Sequence, residues 1–112
     1  MTKQQKERNY WVLPGVMTMR KLTKDDIINT VCDRLQLQRS EVTSKCRRRE
    51  LVEARQICMY IIKKRINCTL AEIGMPFGIK HDTALYSIRM VSSFIEMNYQ
   101  AGLLANELTK SI

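Results

Sequence analysis

Two short polar segments carry the side chains best suited to chemistry in this 112-residue sequence. The first, Lys45-Cys46-Arg47-Arg48-Arg49, places four cations in five residues with no acid among them. The second, Lys80-His81-Asp82-Thr83, combines hydrogen-bond donors and acceptors. Cations neutralise phosphate groups, whereas short polar side chains can bond to the edges of nucleotide bases. Together the two segments indicate a surface that binds a nucleic acid.

The charge of the whole chain points the same way. The formal net charge is +8, from 19 Lys and Arg against 11 Asp and Glu. A small domain with such an excess usually meets a polyanion, and nucleic acid is the commonest one. Two alternatives stay open: a basic surface that only aids solubility, and a protein-interaction module of a phage or mobile element without sequence-specific DNA binding. A membrane-surface role is disfavoured because the helix next to the arginines needs its apolar face for the core.

Neither catalysis nor metal binding is expected. The chain has a single histidine, His81, and no pair of carboxylates in an apolar setting. None of its four cysteines forms a C-x-x-C pair, so we expect no metal, no cofactor and reduced thiols; they are Cys32, Cys46, Cys58 and Cys68. The apolar stretch Tyr10–Leu13 is too short for a signal peptide, and nothing approaches a membrane span. We therefore expect a cytoplasmic, nucleoid-associated protein.

Helix caps and apolar periodicity predict an all-α fold. Thr23 is a suitable N-cap for a helix that ends by about Gln36, with Ile27, Ile28, Val31 and Leu35 on its buried stripe. A short helical turn capped by Ser40 follows. The next helix should run from about Glu50 to Arg65 and bury Leu51, Ala54, Cys58, Ile61 and Ile62.

Two further helices form the pattern of a helix-turn-helix. Thr69 and Glu72 make a capping box for a short helix that buries Leu70, Ile73 and Phe77 and stops at Gly78. Another helix begins near Asp82 or Thr83, continues to about Met97 and buries Leu85, Ile88, Val91 or Ser92, and Ile95. An ordinary corner between two helices would fit this spacing. The polar first turn of the second helix favours a helix-turn-helix, in which those residues meet base edges in the major groove.

The elements predict three regions. Residues 1–20 form a basic and aromatic N-terminal arm, residues 21–98 the helix-turn-helix domain, and residues 99–112 a C-terminal helical extension around Leu103, Leu104 and Leu108. Trp11 is the only tryptophan. It either docks onto the domain or contacts a partner protein. Docking is favoured because exposing a tryptophan side chain to water is costly. The oligomeric state stays open.

Three segments carry a resemblance to a known family. They are SKCRRRELVEARQICMY at 44–60, TLAEIGMPFG at 69–78 and HDTALYSI at 81–88, and they resemble the C-terminal DNA-binding domain of DnaA, the bacterial replication initiator. The similarity covers roughly residues 22–97. It implies a helical bundle of the DnaA C-terminal, Trp repressor-like type that binds double-stranded DNA, here as a stand-alone protein. None of the four glycines begins the phosphate-binding loop of an ATPase, so we expect no ATP hydrolysis.

The resemblance also implies roles for individual residues. Arg47 corresponds to the arginine that enters the minor groove, and its neighbours are expected to contact phosphate or groove. Arg55 and Gln56 correspond to the pair that approaches DNA from the next helix, Leu70 and Ala71 to the phosphate-facing start of the short helix, and His81 and Thr83 to base-reading positions. The complete expected DNA-binding set is Lys45, Arg47, Arg48, Arg49, Arg55, Gln56, Leu70, Ala71, Lys80, His81, Asp82 and Thr83.

The second segment departs from the family pattern. If the histidines are aligned, the turn after Gly78 is one residue shorter, Lys80 replaces the family's aspartate and Asp82 replaces the first of two hydroxyl residues. An ungapped register would place Asp82 on the histidine instead. We prefer the gapped register because it keeps Thr83, Leu85 and Ser87 in step. In both registers the base-reading residues differ, so we expect weakened recognition of the standard initiator box, in replication-related or transcriptional regulation.

Overall fold

The computed structural model describes residues 22–111, and this part of the chain contains six α-helices. In chain order they are α1 Lys24–Leu35, α2 Arg39–Val42, α3 Arg49–Arg65, α4 Leu70–Gly74, α5 His81–Glu96 and α6 Gln100–Ser111, with a 3₁₀ turn at Met75–Phe77 after α4. No strand occurs within residues 22–111. The all-α prediction is confirmed. The N-terminal arm with Trp11 lies outside the described residues.

Helix α3 forms the centre of the fold and contacts all five other helices. The five residues predicted to face inward are buried, and Ile57, Met59 and Tyr60 are buried as well. A helix surrounded on most sides loses the simple one-stripe pattern, because several of its faces meet apolar neighbours. Its last turn carries Lys63, Lys64 and Arg65, which complement the negative end of the helix dipole.

The predicted N-terminal cap fixes the start of α1. Thr23 Oγ1 accepts a hydrogen bond from the Asp26 N–H (3.2 Å), and Asp26 Oδ2 accepts one from the Thr23 N–H (3.0 Å). Gln36 ends the helix with a left-handed φ of 58°. Ile27, Ile28 and Val31 are fully buried, as the periodicity predicts.

The short helix α2 begins earlier than expected. Gln38, not Ser40, is its N-cap, and the N–H groups of Glu41 and Val42 both donate to the Gln38 carbonyl (3.1 Å each). The Arg39 guanidinium bonds Asn29 Oδ1 (2.8 Å) and Asp25 Oδ1 on α1, which holds Arg39 inside the helix. Tertiary contacts thus override the local capping preference of Ser40.

The C-terminal helix is part of the same core. Ala105 and Leu108 of α6 are buried, Glu107 pairs with Arg34 of α1 (2.9 Å), and the Thr109 carbonyl accepts from Arg65 Nη1 of α3 (2.8 Å). Residues 100–111 pack against α3 and α5. No helix within residues 22–111 combines the length and apolarity that crossing a bilayer requires.

Candidate nucleic-acid interface

The capping box at Thr69 fixes the first helix of the helix-turn-helix. Thr69 Oγ1 accepts from the Glu72 N–H (3.2 Å), and Glu72 Oε1 accepts from the Thr69 N–H (2.8 Å). Hydrogen bonds from the Thr69 backbone and hydroxyl lower the pKa of the Glu72 carboxyl. The predicted start of α4 is confirmed, and Ile73 and Phe77 are buried as expected.

Two glycines shape the turn between α4 and α5. The Ile79 N–H donates to the Gly74 carbonyl (3.0 Å), and a Cβ on Gly74 would lie 2.2 Å from the Ile79 oxygen. Gly78 has the left-handed φ of 65° that L side chains rarely adopt. Only glycine at both positions allows this close turn. The prediction that Gly78 ends the short helical segment is confirmed, with the 3₁₀ turn intervening.

The first turn of α5 is open to solvent. The helix begins at His81, with Lys80 as its N-cap, and His81, Asp82 and Thr83 are all exposed. His81 Nε2 lies 2.9 Å from Asp82 Oδ1, so these two side chains contact each other at the surface. The buried face follows at Ala84, Ser87, Ile88 and Val91, whereas the expected core residue Leu85 is only half-buried.

The basic loop, residues 44–48, lies beside this turn. A Cβ placed on Gly78 would be 4.0 Å from Lys45 Cε, so the Lys45 side chain reaches the junction between α4 and α5. Lys45 and Arg47 are exposed and form no ion pair with the described residues. The loop therefore offers two exposed cations without an acidic partner among the described residues, and Lys45 lies next to the turn that precedes α5.

The other two arginines of the cluster have acidic neighbours. Arg48 pairs with Glu41 (3.1 Å) and lies 3.8 Å from Glu50, and Arg49 lies 3.5 Å from Glu53. All of these side chains are well exposed, so each pair is weak and could exchange for a phosphate. Arg48 and Arg49 are therefore less available to an anion than Arg47, which has no ion-pair partner to give up among the described residues.

Arg55 differs from the rest of the expected set because it is buried, at 7% exposure. Its Nε donates to the Val42 carbonyl (2.6 Å), and its Nη2 donates to the carbonyls of Cys46 (2.6 Å) and Glu41 (3.4 Å). The guanidinium thus joins α3 to the end of α2 and to the basic loop. The donors of Arg55 are thus directed at backbone carbonyls of its own chain, whereas the resemblance implies a direct approach to DNA.

The remaining expected residues occupy the surface around the turn. Gln56 is half-buried beside Arg55, Leu70 is half-buried against the core, and Ala71 and Lys80 are exposed. Because the Leu70 side chain packs inward, α4 can offer an anion only its backbone N–H groups at Leu70 and Ala71. Eleven of the twelve residues are therefore at least partly accessible, and the loop and the α5 start lie together.

Sequence reasoning missed two residues further along α5. Tyr86 is 60% exposed, and Arg89 is exposed. They follow Asp82 at helical spacing, so all three share one face of α5. The same periodicity that identified the buried face could have identified this exposed one, which extends the polar surface by about two turns.

The thiols are not arranged for metal binding. Cys32 and Cys58 are buried, and burial raises the pKa of both thiols. Cys46 is exposed in the basic loop and Cys68 is half-buried. Within residues 22–111, no group of three side chains is placed to hold a metal ion.

Comparison with known proteins gives a consistent result. The family model described as bacterial DnaA protein helix-turn-helix matches residues 24–91. Among curated proteins, the chromosomal replication initiator protein DnaA of Gloeobacter violaceus is 37% identical over 78 residues, 69% of this chain and 18% of the relative. That of Bacteroides fragilis is 38% identical over 69% of this chain and 16% of its own length. That of Thermodesulfovibrio yellowstonii is 35% identical over 81% and 21%, respectively.

The chain therefore spans about a fifth of the length of the curated relatives it matches. The matched residues contain the basic loop, the capping box, the turn and most of α5. They include each feature that the site is built from. The chain belongs to the bacterial DnaA helix-turn-helix family, a family of DNA-binding domains.

Proposed function

We propose that this chain binds double-stranded DNA sequence-specifically, without catalytic activity of its own. The first turn of α5 would enter the major groove, and the basic loop would enter the adjacent minor groove. The major groove distinguishes all four base pairs, whereas the minor groove separates mainly A·T from G·C. Contacts in both grooves of one site would combine base recognition with a preference for A·T-rich sequences, which have a narrow minor groove.

The proximity of the Lys45 side chain to the turn at Gly78 supports this proposal most strongly. It joins the two functional segments, which are more than thirty residues apart in sequence, on one side of the fold. A duplex that meets α5 would then meet the loop without any rearrangement of the protein. His81, Asp82 and Thr83 are exposed, so their side chains are free to contact base edges in such a complex.

The proposed roles follow from the exposure and partners of each residue. Arg47 has no acidic partner among the described residues and is assigned to the minor groove. Thr83 offers a hydroxyl and a methyl group, and Asp82 can accept a hydrogen bond from a cytosine amino group. Lys80 and the remaining loop cations are assigned to phosphates, and Arg55 to holding the loop.

The biological setting is also a proposal. The curated relatives are named chromosomal replication initiators, which supports a role in replication-related regulation, with transcriptional regulation as the alternative. We carry over none of the activities of their remaining four-fifths. The departures from the family pattern between Gly78 and Ala84 favour a preferred site other than the standard initiator box.

Selection from a random duplex pool, followed by binding titrations, tests the proposal. Five exposed cations of the site, Lys45, Arg47, Arg48, Arg49 and Lys80, predict a slope of log affinity against log salt of about −4 to −5. Arg47→Ala should weaken binding, reduce the slope by about one and relax the A·T preference. Lys63→Ala is the matched control, because Lys63 is exposed and lies about 20 Å along α3 from Arg49 at the start of that helix. A pool that yields no preferred sequence would refute specific binding.

A further inference from the structure

An apolar groove remains open next to the first half of α3, where α5 ends and α6 begins. Its volume is about 580 Å³. Residues from four helices and the α1–α2 connection form its apolar wall: Leu35, Leu37, Ile57, Phe94, Tyr99 and Leu104. No residue from the first turn of α5 lines it, and Arg49 is the one proposed DNA contact on its wall.

The two aromatic rings make this groove costly to leave in water. Tyr99 is 52% exposed, and its ring centroid lies 5.6 Å from that of Phe94. Aromatic rings gain most when their faces and edges are covered by other apolar groups.

The chain itself contains a segment that suits the groove. Tyr10-Trp11-Val12-Leu13 is a run of four apolar residues, and Lys3, Lys6 and Arg8 precede it. The wall of the groove also carries Glu50, Glu53 and Arg49, and the Arg49 guanidinium lies 3.5 Å from Glu53. Two carboxylates against one guanidinium leave the rim with an excess of one negative charge, so an apolar run behind several cations suits this groove.

The connection is long enough for the same chain to supply this segment. Leu22 precedes α1, whereas Leu35, at the other end of α1, belongs to the groove wall. The twelve residues of α1 span about 18 Å. The nine residues from Leu13 to Leu22 can extend to about 30 Å. The apolar run can thus reach the groove by passing back along α1.

We propose that residues Tyr10–Leu13 bind in this groove of their own chain, with the Trp11 indole against Phe94 and Tyr99. The arm would then complete the apolar core at the junction of α3, α5 and α6. This inference does not depend on DNA binding, and its test uses the protein without DNA.

Trp11 is the only tryptophan, so its fluorescence reports directly on the arm. We expect its emission in the folded chain to lie at shorter wavelength than in concentrated urea and to resist quenching by acrylamide. Ala101→Glu places a charge in the groove and should shift the emission to longer wavelength and restore quenching. Leu103→Glu is the matched control, because Leu103 is 51% exposed on the same helix and does not line the groove.

Circular dichroism confirms that each variant is folded, and Tyr99→Ser replaces Ala101→Glu if that variant unfolds. An emission typical of water-exposed tryptophan in the wild-type protein would overturn the proposal. So would a protected emission that neither groove variant alters, because the arm would then bind elsewhere. Protection that disappears on dilution would show that the arm occupies a second copy, which also overturns binding within one chain.

Discussion

Replacing Arg55 by lysine separates a loop-positioning residue from a direct DNA contact. The wild-type guanidinium makes two short hydrogen bonds to the carbonyls of Val42 and Cys46 and a longer one to that of Glu41. A lysine keeps the charge but has no planar fork, so it cannot reach carbonyls of α2 and the loop at once. At least one short bond is lost, and the carbonyl of Val42 or Cys46 is left without its donor.

The expected loss of stability follows from those contacts. A hydrogen bond to a charged group contributes roughly 1.5–3 kcal/mol. The lysine regains part of this by bonding one carbonyl, and relief of the cost of burying a charge offsets another part. We expect Arg55→Lys to lower the free energy of unfolding by about 1.5–3 kcal/mol in the absence of DNA, and to weaken DNA binding because the loop is no longer held.

Urea unfolding and DNA titration of the same samples give both quantities. Arg47→Lys is the control: Arg47 is exposed, so its replacement should leave the unfolding free energy within about 0.5 kcal/mol of wild type. Faster amide exchange at Cys46 and Arg47 in the Arg55 variant would locate the loosened segment. Unchanged stability together with lost DNA affinity would refute the positioning role and restore Arg55 as a direct contact.

Three further predictions concern the helix-turn-helix itself. Gly74→Ala should destabilise the domain by about 1–3 kcal/mol in thermal unfolding, because its Cβ would meet the Ile79 carbonyl; unchanged stability would contradict the tight turn. Thr69→Ala should cost about 1 kcal/mol through the lost cap. The hydrogen bonds that lower the pKa of Glu72 stabilise the fold above the carboxyl's ordinary pKa, and this contribution is lost as the pH falls through the lowered value. The free energy of unfolding should therefore fall less steeply at acidic pH in Thr69→Ala than in the wild type. An identical pH dependence would refute the coupling. Thr83→Ala should cost about 1–3 kcal/mol at particular base pairs and spare nonspecific binding, with the exposed Thr30→Ala as control; a uniform loss across sequences would assign Thr83 to the phosphates.

Local signals made much of this fold predictable. The caps at Thr23 and Thr69 each involve residues three apart, so their hydrogen bonds can be inferred without knowledge of the tertiary structure. The left-handed conformation at Gly78 is equally local. The exposure of the first turn of α5 also follows from its composition, since Lys80, His81, Asp82 and Thr83 offer nothing to an apolar core.

The features that were missed depend on contacts between distant segments. Arginine is seldom buried, and nothing near Arg55 in the sequence shows that carbonyls of α2 and the loop surround it. The start of α2 depends on Arg39 bonding α1, and the need for glycine at position 74 depends on Ile79 folding back. The burial of Ala105 and Leu108 in α6 likewise depends on packing against α3 and α5.

The most direct test attaches a DNA-cleaving reagent at two defined positions of the protein. It shows whether the loop and α5 contact the same stretch of duplex. Cys46 is exposed in the loop and Cys32 and Cys58 are buried, so an iron chelate can be attached to Cys46 in a Cys68→Ser background. A second variant, Thr83→Cys with Cys46→Ser and Cys68→Ser, carries the chelate at the start of α5. We predict that both produce cleavage in a single bound site, with centres about half a helical turn, ~5 base pairs, apart. Cleavage from only one of the two positions, or centres more than a full turn apart, would contradict the shared surface.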